Sequence, residues 1–301
     1  MEELLITGSN GFLGGHLVKD LQSKFKIVTL SRKNADFCID LAKNIPTNIP
    51  NTIKYVIHAA GKAHIIPKTK EEEQAFFDVN VMGTENLIKG LRNIKIENFI
   101  FISSVSVYGK DTGIQIDEKT ELLGKTPYAL SKIQAEKLVT EWCEKQNIKL
   151  LILRLPLLAA SNPPGNLGDM ISAIQKNRYL SINAGKAKRS VLLIKDLSDW
   201  LLTQNAMKYE GTYNLTDNYD PTFRELEVII SKQLNKKPPL SIPLFLAKMI
   251  GIIGDLLKLD FINSLKIKKI TKDLTFSSKK AIQNVNWQPK KVTMHFNISS
   301  K

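Results

Sequence analysis

Cysteine is nearly absent from this 301-residue chain, and Cys38 and Cys143 are too few for a disulfide framework. Histidine is scarce as well. His16, His58, His64 and His295 share no metal-ligand spacing, so neither a disulfide nor a metal is expected. No apolar run approaches the length that spans a bilayer, and Glu2-Glu3 stands where a basic-then-apolar leader would begin. A cytoplasmic protein without a membrane span is the expectation. Internal repeats and low-complexity linkers are missing too. The basic residues, 43 Lys and Arg against 29 Asp and Glu, lack an aromatic-interleaved stripe, so the net charge of +14 reads as a lysine-rich solvated surface and not as a nucleic-acid site. That charge still suits an anionic substrate. The densest basic run, 266–272, is left open as a membrane-surface or partner patch.

What is present is apolar content of 43%, enough for one large core or two joined domains. The chain is organised around Gly8-Ser9-Asn10-Gly11-Phe12-Leu13-Gly14, which follows the apolar run Leu4-Leu5-Ile6-Thr7 and precedes a helical pattern. Strand, glycine turn and helix in that order fit a dinucleotide. Gly8 permits the turn, Gly11 leaves no side chain against the pyrophosphate, and Gly14 lets helix and strand pack closely. The N–H groups of Phe12 and Leu13 then face the phosphates at the positive helix end. Lys26 to Leu30 reads as a second strand whose end carries Ser31-Arg32-Lys33 in place of the acid that binds an NAD ribose. Arg32 suits a 2′-phosphate, so NADP is preferred over NAD. Phe37 to Leu41 reads as a short third strand, with Asp40 able to bond the adenine amino group and Leu41 beside it among the cofactor contacts. The buried strand Tyr55 to Gly61 ends in Ala59, Ala60 and Gly61, small enough for the cofactor to cross the strand ends. His58 within it reads as a packed structural histidine. Helical periodicity covers about 70–93, with Phe76, Val79, Leu87, Ile88 and Leu91 on one side and Asn80 placed to bond the backbone of a neighbouring strand.

The apolar strand Phe99 to Ser104 ends in a serine-rich turn containing Ser106. Downstream, Thr126-Pro127 reads as N-cap and first residue of a helix running to about Lys145. Tyr128 and Lys132 lie four apart on it and share a face. An ammonium there lowers the phenol pKa and holds the nicotinamide ribose, making Tyr128 an acid/base, while Ser104 polarises the reacting oxygen of the substrate. The spacing alone arises by chance in a lysine-rich chain; its place after a strand ending in Ser104 gives it weight. A sixth strand, Lys149 to Arg154, is interrupted by Pro156, and Asn162 to Gly165 marks a loop where the sheet gives way to other structure. Arg189, beside a strand leading back to a helix, is a diphosphate candidate because its donor fork matches phosphate; a plain surface arginine is the alternative. Gly211 to Leu215 is expected as the last sheet strand, with helices near 222–235 and 243–258. The latter is rich in Phe245, Leu246, Met249, Ile250, Ile253, Leu256 and Leu257, and burial against a C-terminal domain or neighbouring subunit is preferred over a membrane face.

Taken in order, Thr7 to Gly14, His58 to Gly61, Asn80-Val81-Met82-Gly83-Thr84, Ser103 to Gly109, Tyr128 to Lys132, Arg154 with Pro156, Arg189 with Asp196-Leu197, and Trp287-Gln288-Pro289 resemble the extended short-chain dehydrogenase/reductase family. The likeness is to its sugar-nucleotide epimerase/dehydratase branch and covers nearly the whole length. It implies an α/β fold: a Rossmann doubly wound parallel sheet, 1–155 and 190–216, holding NAD(P), with a smaller discontinuous substrate domain, 156–189 and 217–301, and often a homodimer. It also implies Ser104, Tyr128 and Lys132 as catalytic groups, Pro156 among the cofactor contacts, Arg189 on the nucleotide diphosphate, Ser106 on the substrate, and Asp169 or Met170 near it. The activity implied is that of UDP-N-acetylhexosamine 4-epimerases and 4-keto-6-deoxy reductases. Val105-Ser106 stand where dehydratases carry Asp-Glu, which argues against elimination of water, and Leu155 to Ala160 lack the usual tyrosine and glycine. The basic end of the second strand favours the reductase over the epimerase. A non-catalytic NAD(P)-binding sensor or scaffold, and a reductase of non-sugar carbonyls, are the rival readings.

Overall fold

A computed structural model of the chain describes residues 1–203, 206–256 and 263–298. The strands are β1 (Glu3–Thr7), β2 (Lys26–Ser31), β3 (Phe37–Cys38), β4 (Ile53–His58), β5 (Asn98–Ser104), β6 (Gly113–Ile116), β7 (Lys149–Leu155), β8 (Leu157–Ala159), β9 (Ser181–Ile182), β10 (Val191–Leu193), β11 (Gly211–Asn214), β12 (Ser241–Ile242) and β13 (Leu274–Phe276). The helices are α1 (Phe12–Leu21), α2 (Lys70–Phe77), α3 (Gly83–Leu91), α4 (Pro127–Gln146), α5 (Gly165–Gln175), α6 (Ile194–Leu201), α7 (Phe223–Gln233), α8 (Leu244–Leu256), α9 (Ser264–Thr271), α10 (Lys279–Asn284) and α11 (Val292–His295).

Seven strands pair in parallel in the order β11-β7-β5-β4-β1-β2-β3, a Rossmann-like doubly wound sheet. A sheet covered on both faces needs strands that are apolar on both faces, and β1 shows it: Leu4 and Ile6 enter one buried cluster with Leu17 and Leu21 of α1, while Leu5 enters the other with Leu87 of α3 and Val139 of α4. The strand order reverses between β1 and β4, so a crevice opens there at the carboxyl ends of the strands. A third apolar cluster gathers α5, α7 and α11 around Met170, Ile174, Leu226, Ile230 and Val292, next to the paired β8 and β10. Trp287 closes back onto the sheet, with its indole N–H on the Thr216 carbonyl at 2.9 Å and its ring edge-on to Trp200.

Three expectations change in the structure. The third strand stops at Cys38, because Asp40 turns the chain: its carboxylate accepts from the Ala42 N–H and its carbonyl from those of Lys43 and Asn44. The periodicity over 70–93 is three pieces, α2, a π-type turn over Asp78–Met82, and α3. That wide turn holds Asn80, whose partners are the Lys62 backbone beyond β4 and Ser131 of α4, not a strand. Helix α8 buries only Ala247, Gly251 and Gly254; Phe245, Met249, Ile252, Ile253 and Leu256 are more than half exposed. Burial against a C-terminal domain is therefore not what its large side chains do. Residues 257 and 258 of the expected helix lie outside the described residues, among which no helix is long and apolar enough to cross a membrane.

Candidate active site

The glycine turn is locked by backbone proximity. Gly8 sits at φ +67°, where only glycine is comfortable, and a Cβ on it would lie 2.7 Å from the Ala60 backbone. A Cβ on Gly14 would lie 2.1 Å from the Gly8 carbonyl oxygen. The turn, the end of β2 and the segment after β4 enclose a cleft of about 830 Å³. Gly8, Gly11, Ala59, Ala60, Gly61, Arg32, Asp40 and Leu41 all line it, as expected residues. Phe12, Leu13 and Gly14 form the first turn of α1 behind it, with Leu13 and Gly14 buried.

Reasoning from sequence missed Asn10, Lys33 and Lys62, which line the same cleft. Asn10 donates to the carbonyls of Lys33 and Asn34, tying the glycine turn to the loop after β2. Nothing local in the sequence marks that cross-loop bond. Asp36, the acid nearest the end of β2, accepts from the N–H and hydroxyl of Thr29 at 2.8 and 2.7 Å. Thr29 therefore holds this carboxylate, and its bonds keep the pKa below the ordinary aspartate value. Arg32 and Lys33 remain at the cleft wall.

Beneath the cleft, polar groups form one satisfied chain. The Ala60 N–H donates to the Thr7 hydroxyl, Thr7 Oγ1 meets His58 Nδ1 at 2.6 Å, His58 Nε2 meets Thr84 Oγ1 at 2.9 Å, and Thr84 donates to the Asn80 carbonyl at 2.6 Å. Because Thr84 gives its proton to a carbonyl, His58 must donate from Nε2 and accept at Nδ1 from Thr7. Burial pushes the imidazole down to about 3, so it is neutral and structural. Asn80 completes the chain, accepting from the Lys62 N–H and donating to the Lys62 carbonyl and Ser131 hydroxyl.

The three expected catalytic side chains stand on β5 and α4, next to the cleft and not among the residues that line it. Strand β5 ends at Ser104, and Thr126 caps α4 by accepting from the Ala129 N–H, so Tyr128 emerges in the first turn of that helix. Burial raises the Tyr128 phenol above its ordinary value, and a hydrogen bond with the Ser104 hydroxyl pulls the other way. Lys132 is not the group that opposes the shift. Its ammonium donates to the Ile102 carbonyl at 2.9 Å and stands 4.8 Å from the Phe101 ring centre, and burial lowers its own pKa to about 8. A Cβ on Gly61 would meet Lys132 Nζ at 3.3 Å, so the ammonium lies against the cleft-lining segment. The Ser106 N–H donates to Ser104 Oγ, while the buried Ser106 hydroxyl has no partner. Behind Ser104, Glu136 takes two bonds from Arg154 at 3.1 and 2.7 Å and one from Ser103, and Arg154 also reaches the Tyr108 phenol. Glu136 was not singled out from sequence; its place one turn after Lys132 on a face that turns inward was the available signal.

The remaining expected residues stand elsewhere. Pro156 joins β7 to β8, Asp169 is exposed on α5, and Met170 is buried in the third apolar cluster. Arg189 donates to the carbonyls of Lys188, Lys269 and Lys272 and stacks over Phe223, so in this structure its fork caps the C-terminal end of α9. None of these four lines the cleft.

For the dinucleotide itself, the fit is favourable: Gly8 and Gly14 hold the turn so close to the Ala60 and Gly8 backbones that no side chain fits, and Ser9 Oγ in that turn is buried without a partner. No group of acids, histidines or cysteines among the described residues could hold a metal.

The model of the NAD dependent epimerase/dehydratase family matches residues 4–215. An N-acetyl-alpha-D-glucosaminyl-diphospho-ditrans,octacis-undecaprenol 4-epimerase of Escherichia coli O157:H7 is 24% identical, over 93% of this chain and 88% of the relative. Among solved structures, UDP-glucuronic acid 4-epimerase from Bacillus cereus, in complex with UDP-glucuronic acid and NAD, superposes with a TM-score of 0.75 at 18% identity, covering 97% of this chain and 95% of that one. RMD from Pseudomonas aeruginosa, complexed with NADPH, gives 0.71 at 19% over 97% and 95%. At these identities the structural likeness speaks for the fold.

Proposed function

The chain belongs to the NAD dependent epimerase/dehydratase family of the extended short-chain dehydrogenase/reductase type, and from that premise we propose that it is an NAD(P)-dependent enzyme acting at C4 of a UDP-sugar, as a 4-keto reductase or a 4-epimerase. The observation that carries the reading is placement: Ser104 ends β5, Tyr128 stands in the first turn of α4, and Lys132, one helical turn on, has a buried ammonium against the cleft-lining Gly61. Residues 1–155 and 190–216 would hold the cofactor; 156–189 and 217–301 would cover the sugar nucleotide, with Asp169 and Arg189 on that side.

When bound, the nicotinamide supplies a place for hydride to leave C4 or return to it. The residues do the rest. Gly8, Gly11 and the N–H groups of Phe12 and Leu13 hold the pyrophosphate, Asp40 faces the adenine, and Arg32 beside Lys33 favours a 2′-phosphate. Lys132 holds the ribose. Ser104 and the unpartnered Ser106 hydroxyl orient the sugar oxygen, and Tyr128 gives or takes its proton. Burial holds the Tyr128 phenol above its ordinary value, and a phenol can donate to a carbonyl oxygen; the reductase direction is supported by Arg32 at the cleft wall, which suits an exchangeable, phosphorylated cofactor. Tyr128→Phe should cut turnover by about 10²–10⁴-fold while cofactor affinity stays within about threefold. Near-full activity in that variant would remove the proposal. Consumption of NADPH in step with product marks a reductase; tightly held nicotinamide with no added cofactor required marks an epimerase.

A second reading of the substrate keeps the same chemistry and replaces the nucleotide by a lipid diphosphate, as in the name of the Escherichia coli relative. The exposed apolar side chains of α8 favour it, since Arg189 ties α9, packed on α8, to the segment before β10. Turnover of a polyprenyl-diphosphate amino sugar against its UDP counterpart decides between them.

A further inference from the structure

We propose that the α8–α9 hairpin is a docking surface for an anionic membrane, lying in the plane of the lipid headgroups. This goes beyond the catalytic reading and does not depend on it.

Helix α8 is built inside out. Its small residues face the protein: Gly251 lets Ser264 and Ile267 of α9 approach so closely that a Cβ would lie 3.2 Å from both, and Ala247 and Gly254 are buried on the same side. Its large residues face outward. Phe245, Leu246, Met249, Ile250, Ile252, Ile253 and Leu256 are all exposed, from 40% to 81%. At about 100° per residue they cover roughly 160° of arc, a continuous face wider than the seam a single partner helix needs. A soluble surface scatters such residues singly.

Among the described residues, the charged groups of α8 and α9 are cationic but for Asp255. Lys248 is exposed at the border between the apolar arc and the packed side. The one acid of α8, Asp255, accepts from the Ser264 N–H and is thereby tied to the start of α9. On α9 the exposed Leu265 is followed by exposed Lys268 and Lys269, and then Lys272, with no acid between Ser264 and Lys272. Lys269 pairs with Asp111, whereas Lys268 and Lys272 stand at the surface. An apolar arc with cations at its rim, on a helix of 13 residues that cannot span a bilayer, complements an anionic headgroup layer over an acyl boundary.

The test is sedimentation of the full chain with large vesicles of phosphatidylglycerol and phosphatidylcholine, alongside vesicles of phosphatidylcholine alone. Binding at least tenfold tighter to the anionic vesicles is expected. The double variant Phe245→Glu, Ile253→Glu should lose at least tenfold of it, and Lys268→Glu with Lys272→Glu about tenfold or more. A Met249→Trp variant gives a readout independent of those substitutions: its emission should shift to the blue on anionic vesicles. Absence of binding by the unaltered chain, or no emission shift, overturns the proposal. So does a dimer in solution that ignores vesicles and falls to monomer in the Phe245→Glu, Ile253→Glu variant, which would assign the face to a second copy.

Discussion

The floor of the cofactor cleft and the α8–α9 hairpin follow opposite rules. Under the cleft, Thr7, His58, Thr84, Asn80 and Ser131 hand hydrogen bonds from one to the next. Every large apolar side chain of β1, β4 and β5 is enclosed there. On the hairpin, glycine and alanine make the contact and isoleucine, methionine and phenylalanine face outward. The first arrangement is complete within the chain. The second becomes complete only against something else. Stability is therefore concentrated at the cleft, and substitutions should separate the two regions by the size of their effect.

The largest effect belongs to Gly14→Val. A Cβ there meets the Gly8 carbonyl oxygen at 2.1 Å, backbone against backbone, with no flexible side chain to give way. A cost above about 5 kcal/mol is expected, matching the whole stability of many domains, so the variant should not accumulate as folded protein. Folded Gly14→Val with cofactor affinity intact, seen by circular dichroism and cofactor titration, would show that the turn is less constrained than its geometry.

Next comes the buried pair behind Ser104. The Arg154 and Glu136 side chains are 8% and 6% exposed and joined through two bonds. Arg154→Met leaves the Glu136 carboxylate buried with Ser103 alone and should cost about 3–5 kcal/mol, read as a fall in the urea midpoint. The double variant Arg154→Met, Glu136→Leu should recover part of that loss, because the carboxylate left without its guanidinium is gone, although the buried Lys132 ammonium then loses its attraction to Glu136.

This contrast also explains what the sequence disclosed. Gly8, Gly11 and Gly14 were legible because a glycine turn between an apolar strand and a helix is a local requirement, and Tyr128 and Lys132 because helix spacing and the Thr126-Pro127 cap are local too. The sheet was legible for the same reason: each of its strands is an apolar run of five to seven residues, save the short β3 and β11. What was not legible depended on partners far along the chain. Asn10 on Lys33, Glu136 on Arg154 and Asn80 on Ser131 are bonds between segments whose meeting no local pattern announces. The expected effect of Lys132 on the Tyr128 phenol is not among the causes of its shift, since spacing places two side chains on one face but does not determine which carbonyl the ammonium finds. On α8 the sequence offered apolar side chains in abundance, and only the coordinates show that the small residues took the inner face.

A subtler difference lies in Lys132. Burial holds its ammonium at about 8, below the free value of 10.5, so the group sheds its proton more readily folded than unfolded. If the charged form holds the ribose hydroxyls, cofactor affinity should be flat below pH 8 and fall by up to about tenfold for each unit above it. Lys132→Met should bind more weakly throughout and show no such inflection. The readout is the dissociation constant of the reduced cofactor, followed by fluorescence from pH 6.5 to about 9.5, under the ordinary tyrosine value of about 10. A wild-type profile that stays flat through pH 9 would mean that the ammonium is not the ribose anchor.

The smallest effect is the one that gives the comparison its edge. Phe245 and Ile253 are 63% and 52% exposed, so removing their apolar surface takes little from the folded state that the unfolded chain does not also lose. Phe245→Ser and Ile253→Ser should each change stability by no more than about 0.5 kcal/mol, inside the usual range for surface substitutions, and leave Tm within about 2 °C. Gly251→Leu, two residues before Ile253 on the opposite face, should loosen the hairpin, because its side chain enters a space where Ser264 and Ile267 stand at 3.2 Å. Proteolysis at the hairpin should then rise while Tyr128 turnover stays unchanged. Were Phe245→Ser instead to lower Tm by 5 °C or more, about 3 kcal/mol or above, that side chain would have a contact within the folded assembly, and the hairpin would join the cleft as a finished part of the structure.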